Sequence, residues 1–291
     1  MPSILITGTS TGIGLATSLR FARAGYRTFA TMRDLAKAAP LREARESEGL
    51  DLELLRLDVT DPASIAAAFA AVLPRGLDAL VNNAGWAGGA PLELVDEDLH
   101  RGMFEANYFG AIRMIQAALP HMRERRSGTI VNVTSIAGRV AMPNQVPYTA
   151  TKWALEGASE ALAHEVRRFG IRVRIIEPGV IMTSIFENAK GQTIFDRSSP
   201  YVDLMRRNGK FYSAGHRANQ PPELVADAIF DAVESDEDRL RYVVGADAQS
   251  ILRGRTAMRD EEWVAMGDDL SDDAYNAEFR ARFGIDLRQP G

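Results

Sequence analysis

From its first residues to about residue 245 the chain alternates short β-rich apolar runs with longer Ala-rich or amphipathic stretches. This rhythm constrains the fold more than any other feature. The runs Ser3–Thr7, Arg27–Met32, Asp51–Leu57, Leu77–Asn82, Thr129–Thr134, Arg172–Glu177 and Leu240–Val244 read as strands. Several, such as Ile4-Leu5-Ile6 and Ile130-Val131-Asn132-Val133, are nearly continuous instead of alternating, as in strands covered on both faces. Helical patterns lie between them, at Gly14–Ala24, Asp96–Arg125, Pro147–Phe169 and Pro222–Glu234. Another starts at Asp61, where Asp61 is the N-cap and Pro62 the first helical residue. Regular βαβ alternation implies right-handed crossovers and a doubly wound α/β fold: one parallel sheet of about seven strands, flanked by helices.

No repeat or linker divides the chain, so its 291 residues read as one domain over residues 1–245 with an extension at 246–291. Two segments break the rhythm. Residues 181–221 contain no clear strand and read as an inserted loop. The charged segment after Gly245 reads as irregular, with Trp263, Tyr275 and Phe279 as docking points on the same domain.

A net charge of −5 with no basic block argues against nucleic acid as a partner. The absence of cysteine excludes disulfides, thiolate nucleophiles and cysteine-held metal sites. Four scattered histidines have no metal-ligand spacing, so no metal site is expected. No apolar run is long enough to span a bilayer. The N-terminus enters a strand directly and lacks a basic leader, so the expected location is cytoplasmic.

In an open parallel sheet, ligands bind beyond the carboxyl ends of the strands. Each of the first six runs leads into a polar or glycine-rich segment at that end. These are Thr7-Gly8-Thr9-Ser10-Thr11-Gly12-Ile13-Gly14, Arg33, Asp58-Val59, Asn82-Asn83-Ala84-Gly85, Ser135 and Pro178-Gly179. The first follows a strand and opens a helix. Its glycines suit close approach of a pyrophosphate to helix N-terminal amides, although an ordinary strand–helix turn has the same composition. Tyr148 and Lys152 stand four apart on one helix face. A nearby ammonium favours a phenolate, but a chance exposed pair has the same spacing. Ser135 lies thirteen residues before Tyr148, and Asn107 sits inside a helical pattern where an Asn points to a local backbone or water interaction.

Together these residues resemble the classical short-chain dehydrogenase/reductase family over roughly residues 3–245. The matching motifs are Thr7-Gly8 to Gly12-Ile13-Gly14, Asn82-Asn83-Ala84-Gly85, Ser135, Tyr148 with Lys152, Asn107, and Pro178-Gly179 with Thr183. The resemblance implies a Rossmann-like fold and hydride transfer between a nicotinamide and a carbonyl or alcohol. Tyr148 would be general acid or base, Ser135 would polarise the substrate oxygen, and Asn107 would position a water beyond Lys152. Tyr148 and Lys152 would also touch the nicotinamide ribose, and Lys152 would lower the Tyr148 pKa.

The cofactor set implied is Gly8, Thr9, Ser10, Thr11, Gly12, Ile13 and Gly14 for the phosphates and Asp58 and Val59 for the adenine. Asn83, Ala84 and Gly85 would run beside the adenosine ribose, and Pro178, Gly179, Ile181 and Thr183 would line the nicotinamide side. Met32 stands where the family has an acid that holds a ribose 2′-hydroxyl, and Arg33 follows. NADP(H) is therefore the preferred cofactor and NAD(H) the second choice, with Asp34 a competing partner for Arg33. The stretch Ala30-Thr31-Met32-Arg33-Asp34-Leu35 resembles the branch of 17β-hydroxysteroid and retinol dehydrogenases.

Residues Ile185, Phe186, Ile194, Phe195, Tyr201, Leu204, Met205, Phe211 and Tyr212 give the 181–221 loop an apolar character suited to a lipophilic carbonyl or alcohol, or to docking of the loop itself. Arg206, Arg207, Lys210, His216 and Arg217 form a solvated face or meet an anionic substrate. Family members associate through helices corresponding to Asp96–Arg125 and Pro147–Phe169, which implies a homodimer or homotetramer. The alternatives are a catalytically silent NADP(H)-sensing protein and a non-redox epimerase or dehydratase on the same cofactor.

Overall fold

The computed structural model describes residues 1–183, 193–268 and 270–288. Seven strands, β1 Ser3–Thr7, β2 Arg27–Met32, β3 Leu52–Arg56, β4 Ala79–Asn82, β5 Gly128–Val133, β6 Ile171–Pro178 and β7 Arg241–Val244, form one sheet in the order β3-β2-β1-β4-β5-β6-β7. Every neighbouring pair is parallel. The order reverses between β1 and β4, which opens the crevice at the carboxyl edge.

The continuous strand runs are explained by burial on both faces. Leu5 packs with Phe29, Leu80 and Ile130 against α3 (Pro62–Val72) and α5 (Gly110–Arg125). Its neighbours Ile4 and Ile6 point the other way, into a layer with Phe21 of α1 (Gly12–Arg23) and Val225 and Ile229 of α8 (Pro222–Glu234). The Asp61 carboxylate caps α3 through the Ala63 amide at 2.9 Å, with Pro62 at the first position.

One helix goes beyond the sequence reading, and three expectations change. The polar segment after β2 forms α2 (Ala39–Glu48), which begins beside Pro40 and ends at Gly49 in the left-handed region. The Asp96–Arg125 pattern is α4 (Glu97–Phe104) and α5 joined by a π turn, Glu105–Phe109, which contains Asn107. The segment read as an inserted loop holds a helix, α7 (Val202–Arg217), which follows α6 (Val146–Val166) and β6 in the chain. The tail is not irregular: α9 (Ala246–Thr256), α10 (Asp260–Val264) and α11 (Asp272–Phe283) succeed one another there.

The tail helices bury Ile251, Met258, Phe279, Phe283 and Leu287 against Ile136, Val140, Val180 and Phe211. Trp263 donates from its indole to the Ala141 carbonyl at 3.1 Å, and the Arg207 guanidinium stacks on Tyr275 at 4.4 Å. Asp272, at the start of α11, accepts from Arg206, Arg207 and Lys210 of α7, so these cations pair with the tail, Arg207 buried there and Arg206 still exposed. Hydrogen bonds from Arg206 and Lys210, with their charges, hold the Asp272 carboxyl far below the usual carboxylate range against the opposing effect of burial. Ile185 and Phe186 lie outside the described residues. Ile194 and Phe195 are exposed, whereas Met205 and Phe211 are buried. No described helix is long and apolar enough to cross a membrane.

Candidate active site

The loop after β1 is shaped by its own backbone. Gly8 and Gly12 adopt left-handed φ values of 72° and 56°, which favour glycine. A side chain at Gly14 would collide with the Gly8 carbonyl at 2.2 Å, so the third glycine lets the loop close on itself at the start of α1. Thr7 and Asn83 fasten this loop to the segment after β4. The Thr7 hydroxyl accepts from the Asn83 and Ala84 amides at 3.0 and 2.9 Å, and the Asn83 side-chain amide donates to the carbonyls of Thr7 and Gly8.

Thr9 is fully buried, its hydroxyl donating to the Thr31 carbonyl at 3.2 Å. Thr11 is exposed and precedes α1, whose first-turn amides open at this edge without an acidic residue among them. Left-handed glycines before an open helix N-terminus fit the pyrophosphate of a dinucleotide.

At the edge beyond β2, where the resemblance implies the adenosine, Met32 is buried and Arg33 exposed. Asp34 caps the next 3-10 turn through the Ala36 amide, and no described carboxylate lies within ion-pair distance of Arg33. Asp58 stands beside Arg33 and a second arginine, Arg56. Its burial raises the carboxyl pKa, but hydrogen bonds from Thr60 and the charges of both arginines outweigh that and leave it lowered. Arg56 was not legible as a site residue, although it ends β3 in register with Met32. Val59 is buried against Gly110, so its side chain serves packing.

Toward the reacting end, a crevice is lined by Ile13, Asn83, Gly85, Ser135, Tyr148, Lys152, Pro178, Gly179, Ile181 and Thr183, drawn from four of the six strand-end segments and α6. Ser135 leaves β5 in extended conformation, accepts from the Ala137 amide at 3.1 Å, donates to the Pro178 carbonyl at 3.5 Å and lines the crevice with Tyr148. Burial pushes the Tyr148 phenol above its ordinary value, and the Ser135 hydroxyl only partly opposes it. Lys152 does not reverse this. Its Nζ lies 5.7 Å from the Tyr148 ring centroid and donates to the Val133 carbonyl at 3.0 Å. Burial brings the Lys152 ammonium down to about 8, with the Glu156 carboxylate resisting.

Glu156, one turn beyond Lys152 on α6, is itself buried and its carboxyl pKa raised by burial. It accepts from Thr134 at 2.7 Å and Arg241 at 3.0 Å.

Asn107 stands behind the crevice in the π turn. Its Oδ1 accepts from the Trp86 amide, and its Nδ2 donates to the Trp86 carbonyl and to Thr151. These bonds clamp the loop after β4 to the turn of α6 that carries Tyr148 and Lys152, a role a mid-helix Asn takes where the backbone widens. The loop after β6 is held by residues with no sequence signal. Asp247 of α9 accepts from the Val180 amide at 2.7 Å and from Gln220 at 2.8 Å, and Gln220 also donates to the Val180 carbonyl.

The family model described as short chain dehydrogenase matches residues 2–193. Estradiol 17-beta-dehydrogenase 1 of Rattus norvegicus is 36% identical over 248 residues, covering 82% of this chain and 72% of that protein. Retinol dehydrogenase 8 of Bos taurus is 34% identical over 250 residues, covering 82% and 80%. The crystal structure of a short-chain dehydrogenase from Streptomyces avermitilis superposes with a TM-score of 0.78 at 36% identity, covering 91% of this chain and 96% of that one.

Proposed function

The chain belongs to the short-chain dehydrogenase family, and on that premise we propose that this oxidoreductase is an NADP(H)-dependent reductase of lipophilic ketones or aldehydes, with Tyr148 as its acid. The observation that carries the reading is that Ser135, Tyr148 and Lys152 line one crevice together, with Tyr148 and Lys152 on the same helix face. A bound nicotinamide supplies the hydride in reduction and accepts it in oxidation.

The protein's part is proton placement. A raised phenol pKa keeps Tyr148 protonated at neutral pH, ready to donate its hydroxyl proton to the carbonyl oxygen as the carbon is reduced. Ser135 hydrogen-bonds that oxygen and holds it against Tyr148. The Lys152 ammonium favours the phenolate that forms once the proton has left. In oxidation the same groups run in reverse.

Arg33 and Arg56 support NADP(H) over NAD(H), since two exposed guanidiniums that form no ion pair among the described residues suit a 2′-phosphate, and the buried Met32 offers no acid for a 2′-hydroxyl at the end of β2. The apolar walls supplied by Val140, Met142, Val180, Phe211 and Ile251 support a lipophilic substrate, as do relatives named for estradiol and retinol. The exposed faces of Phe109 and Trp153 on the π turn and α6 suit a homo-oligomer contact.

The test is NADPH oxidation against a panel of ketones and aldehydes, from small polar compounds to fused-ring and polyene ones. Turnover concentrated among the lipophilic compounds is expected. Product formed with no net change in NADPH would instead favour an epimerase.

A further inference from the structure

Beside the catalytic crevice lies a second cavity of about 760 Å³, and Tyr148, Gln145 and Tyr212 border both. One wall is the start of α6; the other is the stripe Met205, Asn208, Tyr212 and His216 of α7, recurring at helical spacing. A hydrogen bond from Gln145 to the Tyr212 hydroxyl joins the walls. Asn144 precedes Gln145, and Asn208 lies one turn before Tyr212, so both sit close to the junction.

Two polar atoms on these walls have no hydrogen-bond partner among the described residues although they are closed to solvent: Asn144 Nδ2, a donor, and Asn208 Oδ1, an acceptor. Asn144 is only 9% exposed and holds a left-handed φ of 63°, with its carbonyl packed against Gly89. A non-glycine residue in that conformation is uncommon, and buried polar atoms without partners carry a desolvation penalty. Both features concentrate where a ligand supplies the missing contact. The terminal amide torsion of an Asn is soft, so a small rotation turns either amide into the cavity.

We infer that the substrate carries, remote from its reacting carbon, a hydroxyl or amide group that Asn144 and Asn208 recognise. The inference rests on the reductase reading and extends it. With the carbonyl at Tyr148, the apolar body passes Tyr212 and the distal group reaches the cavity, where one side chain donates to it and the other accepts from it. A substrate lacking that group leaves both atoms unpaired, and sites of this kind discriminate strongly between such pairs.

The experiment compares unbranched methyl ketones of increasing length with the same ketones bearing a terminal hydroxyl, each at saturating NADPH. It uses the wild type, Asn144→Gly, which keeps the left-handed backbone, and Asn208→Leu, which keeps the side-chain shape. In the wild type, kcat/KM for the hydroxylated ketone exceeds that for the plain one tenfold or more at one chain length, and the difference sits in KM. In each variant the ratio falls toward one. A ratio near one at every length in the wild type, or an unchanged ratio in both variants, overturns the inference and leaves the reductase reading standing. No NADPH oxidation with any ketone overturns both.

Discussion

The two halves of the site are held in different ways. On the cofactor side, the loops after β1 and β4 are fixed by short hydrogen bonds among Thr7, Gly8, Asn83 and Ala84, beside adjacent strands. On the substrate side, α7 and the loop after β6 are held from the tail, through Asp272 to Arg206 and Lys210, Asp247 to Val180, and Trp263 to Ala141. The first half is a property of the strand-end motifs. The second depends on the sequence that follows β7, so the tail bears on the substrate wall and on the loop after β6, while the glycine loop after β1 is held without it.

The comparison can be broken most severely at Asp247. Replacing it with Ala leaves the buried Val180 amide and the Gln220 side chain short of a partner, at a cost of about 1–3 kcal/mol. We expect kcat/KM to fall on the order of 100-fold through displacement of Pro178–Thr183 at the nicotinamide end, with NADPH affinity, anchored at the glycine loop and Arg33, reduced far less. Steady-state kinetics beside fluorescence titration of NADPH checks the split. Equal losses would mean that the tail supports both halves alike.

A smaller effect sharpens the cofactor half. Arg33→Ala and Arg56→Ala should each weaken NADPH binding about tenfold, equivalent to about 1.4 kcal/mol, and leave NADH binding nearly unchanged. Titration with both nucleotides reads this directly. Equal weakening of the two would remove the 2′-phosphate from the account.

The smallest effects are on stability, and they run in opposite directions with pH. The folded pKa of Lys152, about 8, lies below its ordinary value of 10.5, so burial of its charge destabilises the fold at neutral pH. That penalty is fully present below pH 8 and fades as the pH rises toward 10.5. Lys152→Met should therefore be more stable than wild type at pH 7, by about 1–3 kcal/mol, with the gap closing at alkaline pH.

Asp272 is the reverse case. Its carboxyl is depressed, so its contribution is present above the ordinary value of 3.8 and is lost as the pH falls below it. Asp272→Asn should be less stable than wild type at neutral pH and converge with it in acid. Urea unfolding across pH measures both.

All seven strands were legible in the sequence, because short runs rich in apolar and β-branched residues, nearly continuous in β1 and β5, alternate with helical patterns and are bounded by turn residues. The crevice was legible because Tyr148, Lys152, Ser135 and the glycines carry local spacing that chemistry demands. Much of the remainder carries weaker local signals. Helix α2 is polar, with few apolar positions to set a period, and α7 carries Gly209 and Gly215 and has no capping side chain.

The helix α11 did leave signs: Ser271 caps it at the Ala274 amide, acids fill its first turn and Gly284 ends it. Asp247 left none, since its partner Val180 is 67 residues away. Arg56 becomes visible only once β3 is set beside β2 in register. The rise in the Tyr148 pKa came from burial, which motif spacing does not report.

The central claim is that Tyr148 moves the proton in a site that binds the nucleotide independently of it. Its most direct test is Tyr148→Phe, with NADPH binding and single-turnover ketone reduction measured on the same sample. The account predicts an NADPH dissociation constant within about threefold of wild type, a difference of about 0.7 kcal/mol, and a reduction rate lower by a factor on the order of 1,000 or more. Reduction at a rate near that of the wild type would contradict it and assign the proton to another group.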